Sequence, residues 1–385
     1  MKVRTINTLH ADAGWRTFSY CKITTDDGIV GYSEYNESHG SRGTTEVIEK
    51  LAPFVVGTDP LAHEATFTRL YARTRQAPGG INAQAIAAIE NALLDIKGKA
   101  FNVPVYELLG GKQRDTLKVY WSHCGGARMY EETAKIIEKP SLKSLGDIEA
   151  LGAEVKEAGF KALKCNMYRF GDMNYVFGPR SGSRNAETDL LKDLEAQMIA
   201  LRKGMGEDVD ILLDMNFNFK IEGYLKVIRH LRKFNLFWYE LDLFNPEGLA
   251  YIRDHADAPI ASCESLYGIR DYRPYFKSQA MDIAIIDVVW NGAWQSYKIA
   301  AMADAHDVNV APHNFFGHLG SAMSANFCAA VPNFRIMEIE IDDVPWKDDL
   351  VTHPPKIIDG EYVLSDRPGW GTDVNEEAVA AHPPR

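Results

Sequence analysis

From Ala162 onward the chain repeats one motif: a short apolar run that ends on a single polar or charged residue. Ala-Leu ends on Lys164, Ile-Leu-Leu on Asp214, Phe-Trp-Tyr on Glu240, Ile-Ala-Ser-Cys on Glu264 and Ile-Ala-Ile-Ile on Asp287. Val-Asn-Val-Ala-Pro leads into His313, and Arg-Ile-Met into Glu338. Between Asp214 and His313 these ends recur roughly every 25 residues, the length of one strand-plus-helix unit in a (β/α)₈ barrel. The intervening stretches carry helical spacing, clearest in Leu190, Leu194, Met198 and Leu201. In such a barrel, residues at the C-terminal ends of strands face the active site. A carboxylate buried there is costly unless it is paired or bound to a cation. The ladder therefore predicts a metal-centred site.

The first 115 or so residues do not follow this rhythm. Val3 to Leu9 and Ser19 to Thr24 read as strands, and Asp26-Asp27-Gly28 as a hairpin turn into a third strand at Ile29 to Tyr32. Helices follow, one of them marked by Ile86, Ile89, Leu93 and Ile96 and ending near Gly98. Strands followed by helices predict an α+β domain, residues 1–116, in front of the barrel. Its loops Ala11–Phe18 and Tyr35–Arg42 contain Trp15, Arg16, Glu37 and His39. The barrel, 117–345, begins with Val119 to Ser122. The long segment from Tyr168 to Asn185, with Arg169, Arg180 and Arg184, interrupts it and reads as a lid or mobile segment. After Glu340 the pattern fades into a tail, 346–385, expected to fold back on the first domain.

Composition narrows the class. A net charge of −11 argues against nucleic-acid binding through a basic face, yet a local cation can still make a cleft attractive to a small anion. The five cysteines, Cys21, Cys124, Cys165, Cys263 and Cys328, are odd in number and contain no Cys-x-x-Cys pair. They read as reduced thiols, not as disulfides or a zinc site. No run is long enough to span a bilayer and no signal-type h-region opens the chain, so the expectation is a soluble cytoplasmic protein without a membrane partner.

The polar ends then form a constellation. Asp214, Glu240 and Glu264 end three successive strands, and three oxygen ligands with open positions suit Mg²⁺ better than zinc. Asp287 and His313 are one unit apart, and a carboxylate beside an imidazole makes a general base. Alternation along strands places Lys164 with Asn166, and Asp214 with Asn216, on the interior face, and turns Cys165 and Cys263 outward as packing residues. It does not choose between Glu338 and Glu340.

With these residues in place, the chain resembles the mandelate racemase-like branch of the enolase superfamily over nearly its whole length. Residues 85–99 (AIAAIENALLDIKGK) and 104–111 (PVYELLGG) look like that branch's capping-domain signature. The resemblance implies an α/β fold, a modified TIM barrel (β/α)₇β, closed by the N-terminal domain and part of the tail. It implies that Asp214, Glu240 and Glu264 bind Mg²⁺, that His313 and Asp287 form the base dyad, and that Lys164 and Glu338 meet the substrate carboxylate. It makes the two loops specificity loops, with Trp15, Arg16 and His39 as substrate contacts beside Arg180, and it implies assembly into homo-oligomers.

The pattern departs from the branch at two places. Lys-x-Lys is replaced by Lys164-Cys165-Asn166, and an amide cannot accept a proton at neutral pH. Leu241-Asp242 stands where Glu-Pro is common. Racemisation needs bases on both faces, so with His313 the sole evident base the expectation is one-base chemistry: dehydration of a sugar acid to a 2-keto-3-deoxy acid. Lys-x-Asn resembles the acid-sugar dehydratases of the branch, but their acid histidine is Asn216 here. His313 itself, Tyr168 or His39 remain as proton donors. Epimerisation, lactone cycloisomerisation and a catalytically silent relative remain the alternatives.

Overall fold

A computed structural model of the chain describes residues 1–178 and 184–385; Arg180 lies outside them. The N-terminal part opens with an antiparallel meander of β1 (Val3–Asp12), β2 (Thr17–Thr25) and β3 (Val30–Asn36). These strands run longer than their sequence pattern predicts. β1 and β2 stay paired as far as Asp12 opposite Thr17, which shrinks the first expected loop to residues 13–16. Gly28, at φ +93°, closes the β2–β3 turn. The Gly80–Phe101 helix packs on this sheet and ends at Asn102, whose φ of +55° is tolerated by asparagine. Val3, Ile23, Ile89 and Leu93 form part of a separate small core between sheet and helices.

The barrel contains β4 (Thr116–Trp121) and β5 (Ala162–Cys165), then a small hairpin of β6 (Tyr168–Arg169) and β7 (Tyr175–Val176). It continues with β8 (Asp210–Asp214), β9 (Trp238–Glu240), β10 (Ile260–Ser262), β11 (Ile283–Asp287), β12 (Asn309–His313) and β13 (Met337–Ile339). Leaving out the hairpin, neighbours pair in parallel, and β13 pairs with β4. A bridge between Val310 and Phe334 brings β12 alongside the approach to β13. Helices follow the first seven barrel strands and none follows β13 directly, the (β/α)₇β order. Period-two alternation sorts the strands. Tyr120, Ala162, Leu212, Trp238 and Ala311 fill the barrel interior, while Leu163, Cys165 and Leu213 pack outward against the helices.

The tail does two things. Its hairpin, β14 (Lys356–Ile358) and β15 (Glu361–Val363), extends the barrel sheet by pairing antiparallel with β4. It also reaches the N-terminal domain, first where Trp346 Nε1 donates to the Asp12 carbonyl at 2.7 Å and again beyond Pro368. There Asp95, buried in the Gly80–Phe101 helix, accepts hydrogen bonds from Tyr32 N and Trp370 N. Gly369 sits at φ +68°, and a Cβ there would fall 2.0 Å from Asp95 Oδ1, so this crossing needs glycine. Among the described residues no helix is long and apolar enough to cross a membrane.

Candidate active site

The strand ends converge at the C-terminal mouth of the barrel. Lys164 is buried at the centre of the group. Its Nζ lies 2.9 Å from Glu240 Oε1, 2.9 Å from Glu338 Oε1 and 3.9 Å from Asp214 Oδ2. Trp238 Nε1 donates to the other oxygen of Glu240. Glu338 is enclosed: Ser122 Oγ and Lys164 serve one oxygen and Asn314 N the other. Glu340, which strand parity left equivalent to Glu338, instead faces His123, with Nδ1 2.9 Å from Oε2. His123 directly follows Val-Tyr-Trp-Ser of the first barrel strand, so the signal that marks the other polar strand ends is present here too.

Asp214 and Glu264 are reached differently. β8 ends at Asp214, and Asn216 comes back through a left-handed turn (φ +49°) to give its backbone N–H and side-chain amide to Asp214 Oδ1. Asn216 therefore orients Asp214 through a turn, not along a shared strand face. β10 stops at Ser262, and Cys263, in a left-handed conformation (φ +89°), swings Glu264 into the mouth. Asp242 holds that turn by accepting from Cys263 N at 2.9 Å, Ser265 Oγ at 2.6 Å and Ser262 Oγ at 3.3 Å. The unusual Leu241-Asp242 pair thus has a local role that the sequence did not reveal. Asp214, Glu240, Asp242 and Glu264 line one tight crevice.

His313 ends β12 beside Asp287, which ends β11 in register with it. Nδ1 lies 2.6 Å from Asp287 Oδ2, and Trp290 N fixes the other oxygen at 2.7 Å. The carboxylate only accepts, so Nδ1 carries the proton and Nε2 is left for the mouth, 3.7 Å from Glu264 Oε2. Trp290 and Phe315 pack against the ring, each with centroids 5.0 Å away.

Above these groups lies a cavity of about 790 Å³. Asn166, Asn216, Glu264, His313, His123 and Glu340 line its floor, and Trp15, His39, Tyr130, Phe217 and Tyr267 line its walls. Trp15 stacks on Phe315 and lies 5.9 Å from the His39 ring, so the N-terminal domain supplies one wall. Two expected contacts are corrected. Arg16 is buried beside the cavity, giving Nη2 to Asp343 at 2.5 Å and Nη1 to the Phe315 carbonyl; it ties the domains together. Tyr168 is buried with its hydroxyl donated to the Cys124 carbonyl at 2.6 Å, so it offers no proton to a ligand.

The electrostatics follow from this crowding. Burial, with Asp214 and Glu338 nearby, outweighs Lys164 and pushes Glu240 up to about 7. Burial drives Glu264 well above the usual carboxylate range despite His313, and Asp242 and Asp214 add to the rise. Glu338 is held well below it, because Lys164 and the two imidazoles overcome its burial. His313 is pushed up to about 10, since Glu264 and Asp287 outweigh its burial. Among the described residues no three potential ligands form a finished metal cage, and the Lys164 ammonium stands between two of the carboxylates. The donor set still fits a divalent cation. Three hard oxygen donors share one tight crevice, two of them raised by burial and mutual repulsion, and no lysine or arginine among the described residues lines the larger cavity above.

A parallel barrel with carboxylates at the ends of three successive strands and a His–Asp pair beside them defines a class of enzymes that act at the mouth of a capped (β/α)₇β barrel. Residues 6–110 match the Mandelate racemase / muconate lactonizing enzyme, N-terminal domain, and residues 147–378 match the Enolase C-terminal domain-like family. The chain belongs to the enolase superfamily, in its mandelate racemase-like branch. It is similar to a protein of Burkholderia xenovorans strain LB400, provisionally named an L-alanine-DL-glutamate epimerase, whose crystal structure is bound to magnesium and fumarate. The two share 51% identity and a TM-score of 0.96, over 100% of this chain and 96% of that one. It is also 28% identical to D-xylonate dehydratase of Haloferax volcanii, over 94% of this chain and 84% of that protein. With D-galactonate dehydratase of Pectobacterium atrosepticum it shares 29%, over 98% and 94%.

Proposed function

We propose that the protein removes the proton α to the carboxylate of a polyhydroxy acid and eliminates the β-hydroxyl as water, yielding a 2-keto-3-deoxy acid. One observation carries the reading: His313 is fixed by Asp287 at Nδ1 and turns Nε2 toward the carboxylate group, 3.7 Å from Glu264. Asp214, Glu240 and Glu264 would hold Mg²⁺. Bound there, Mg²⁺ supplies positive charge for the substrate carboxylate as its α-carbon loses the proton. Lys164, held among Glu240 and Glu338, adds a fixed ammonium to that field, and the aromatic walls exclude water from it. His313 takes the α-proton at Nε2, a positioned general base of the kind worth roughly 10²–10⁴ in rate; Glu264 is the strongest influence holding its ring protonated, and a cation on that carboxylate would offset it and free Nε2. Asn166 and Asn216 hydrogen-bond substrate hydroxyls from the floor, and Trp15 and His39 close over the distal end. The dehydratase names of two relatives support a sugar acid as substrate.

A second reading, epimerisation at the α-carbon, is favoured by the name of the Burkholderia protein and by the second imidazole, His123, on the cavity floor. His123 removes the premise that His313 is the sole evident base. The discriminating experiment incubates the protein with Mg²⁺ and a panel of aldonates and aldarates, beginning with D-xylonate and D-galactonate, in deuterated water. Semicarbazide reads 2-keto acids and NMR reads α-proton exchange. A 2-keto-3-deoxy product that disappears in His313→Asn is expected. Exchange or inversion at the α-carbon without keto acid overturns dehydration in favour of epimerisation.

A further inference from the structure

We propose that His123, held by Glu340, is the general acid that protonates the departing β-hydroxyl; the assignment rests on the dehydratase reading above. The cavity floor carries two imidazole–carboxylate pairs built alike. In each, Nδ1 faces a buried carboxylate, at 2.6 Å for His313 and Asp287 and at 2.9 Å for His123 and Glu340. Both rings line the cavity, with Nδ1 engaged by the carboxylate. The His123 side chain is 32% exposed there, whereas Glu340 behind it is 3% exposed. Both rings pack against Phe315, at 5.0 Å for His313 and 6.0 Å for His123, so one substrate lying along that ring can meet both.

The backbone supports a working role. His123 has φ +41°, a conformation that costs a non-glycine residue of order 1–3 kcal/mol and is kept where the surroundings demand it. The turn is locked by Gly126 N donating to the His123 carbonyl and by Cys124 N donating to Lys164 O. Two amides on the floor and the nearby tyrosine cannot serve. Asn166 and Asn216 carry amides that do not protonate a leaving group, and Tyr168 is spent on Cys124. The charged groups facing His123 are Glu340 and Glu338 from β13 and its extension and Lys164 from β5. Burial and Lys164 disfavour the imidazolium, but the two glutamates prevail and raise the group above its ordinary value. The acid role requires the ring to enter the cycle protonated at Nε2, which the Glu340 carboxylate at Nδ1 favours.

The step balances. His313 Nε2 takes the α-proton, and the C–H electron pair becomes the new C2–C3 double bond as the C3–O bond breaks. The His123 Nε2–H proton goes to that oxygen and water leaves. The enol then loses its O–H proton as C3 gains one, giving the 2-keto-3-deoxy acid. His313 releases a proton to solvent and His123 takes one up, with no oxidant or reductant involved.

The test uses the full-length protein with Mg²⁺ and the panel acid that the wild type dehydrates, together with that acid's 3-deoxy-3-fluoro analogue. Fluoride leaves without needing a proton. In His123→Asn, keto-acid formation should fall by about 10²–10⁴-fold. Fluoride elimination and α-proton exchange should stay within about tenfold of wild type, which also shows that the variant is folded. His313→Asn should lose all three. In Glu340→Gln the imidazolium loses its carboxylate, so the alkaline limb of the dehydration profile should move to lower pH. Dehydration by His123→Asn within threefold of wild type overturns the assignment, as does a parallel loss of all three readouts, or an alkaline limb unmoved in folded Glu340→Gln. A wild type that exchanges the α-proton but forms no keto acid from any panel member instead overturns the dehydratase reading, and the acid role with it.

Discussion

Glu34 joins the two halves of the molecule, and its removal gives a quantitative test of how the site is held. The residue sits in β3 of the N-terminal sheet, yet its carboxylate caps a barrel helix, His318–Ala330. Oε1 accepts from Gly317 N at 2.6 Å and Oε2 from Gly320 N at 2.8 Å. Both oxygens lie so close that a Cβ on Gly317 would sit 2.8–2.9 Å from them. Hydrogen bonds to a charged group are worth about 1.5–3 kcal/mol each, and a helix N-terminus adds favourable dipole energy. Against this stands the cost of burying the carboxylate, which raises its pKa even with the two N–H groups and Arg16 opposing. Glu34→Ala removes the acceptors, leaves two backbone N–H groups buried and opens a void. A net loss of about 3 kcal/mol is expected from these terms. Glu34→Gln should fall between, because the amide keeps one acceptor but turns an N–H₂ toward a backbone donor. Urea unfolding of the metal-free protein, with the slope compared between variants, measures the difference. The helix begins five residues after His313, so turnover should fall alongside stability. A Glu34→Ala variant within 0.5 kcal/mol of wild type would refute the reasoning.

Other outcomes follow from the same geometry. Neutralising one of the crowded carboxylates by Glu264→Gln should stabilise the metal-free protein by about 1 kcal/mol and abolish any rise in unfolding temperature with Mg²⁺; destabilisation, or a retained Mg²⁺ response, would contradict the carboxylate-repulsion account. Asp242→Ala should weaken Mg²⁺ binding by about tenfold or more through loss of the Cys263 turn, which calorimetry would read; unchanged affinity would limit Asp242 to packing. Glu90, buried with Oε2 unpartnered, is pushed up to about 7 by burial. Between pH 4.5 and 7 the folded chain then binds more protons there than the unfolded chain, so wild-type stability relative to Glu90→Gln should drop by about 3 kcal/mol as pH rises across that window and stay level above it. A pH-independent difference would place the carboxylate in a better-solvated setting.

The sequence by itself determined what local periodicity can determine. Apolar runs ending on Lys164, Asp214, Glu240, Asp287, His313 and Glu338 set the strands, and alternation along each strand set which side chains enter the barrel. The order of helices and strands then set the class of fold. Where the chain leaves the strand, alternation lost its hold. Asn216 and Glu264 reach the site through left-handed turns at Asn216 and Cys263, and strand parity has no bearing on them. The longer β1 and β2 likewise came from their mutual pairing, which no single strand encodes.

What the tertiary structure decided is which distant residues meet. Glu338 and Glu340 are equivalent by parity. They part because β13 closes the barrel against β4, with Glu338 beside Tyr120, so that two residues further on Glu340 reaches His123. His123 directly follows the Val-Tyr-Trp-Ser run, but nothing near it in the chain signals a partner more than 200 residues away. Arg16 and Tyr168 have the composition of substrate contacts, but partners brought close by folding, Asp343 and the Cys124 carbonyl, satisfy them inside the protein. Periodicity is a property of neighbours along the chain. The pairing of buried charges depends on barrel closure and domain docking, which place a group only once every strand is in register.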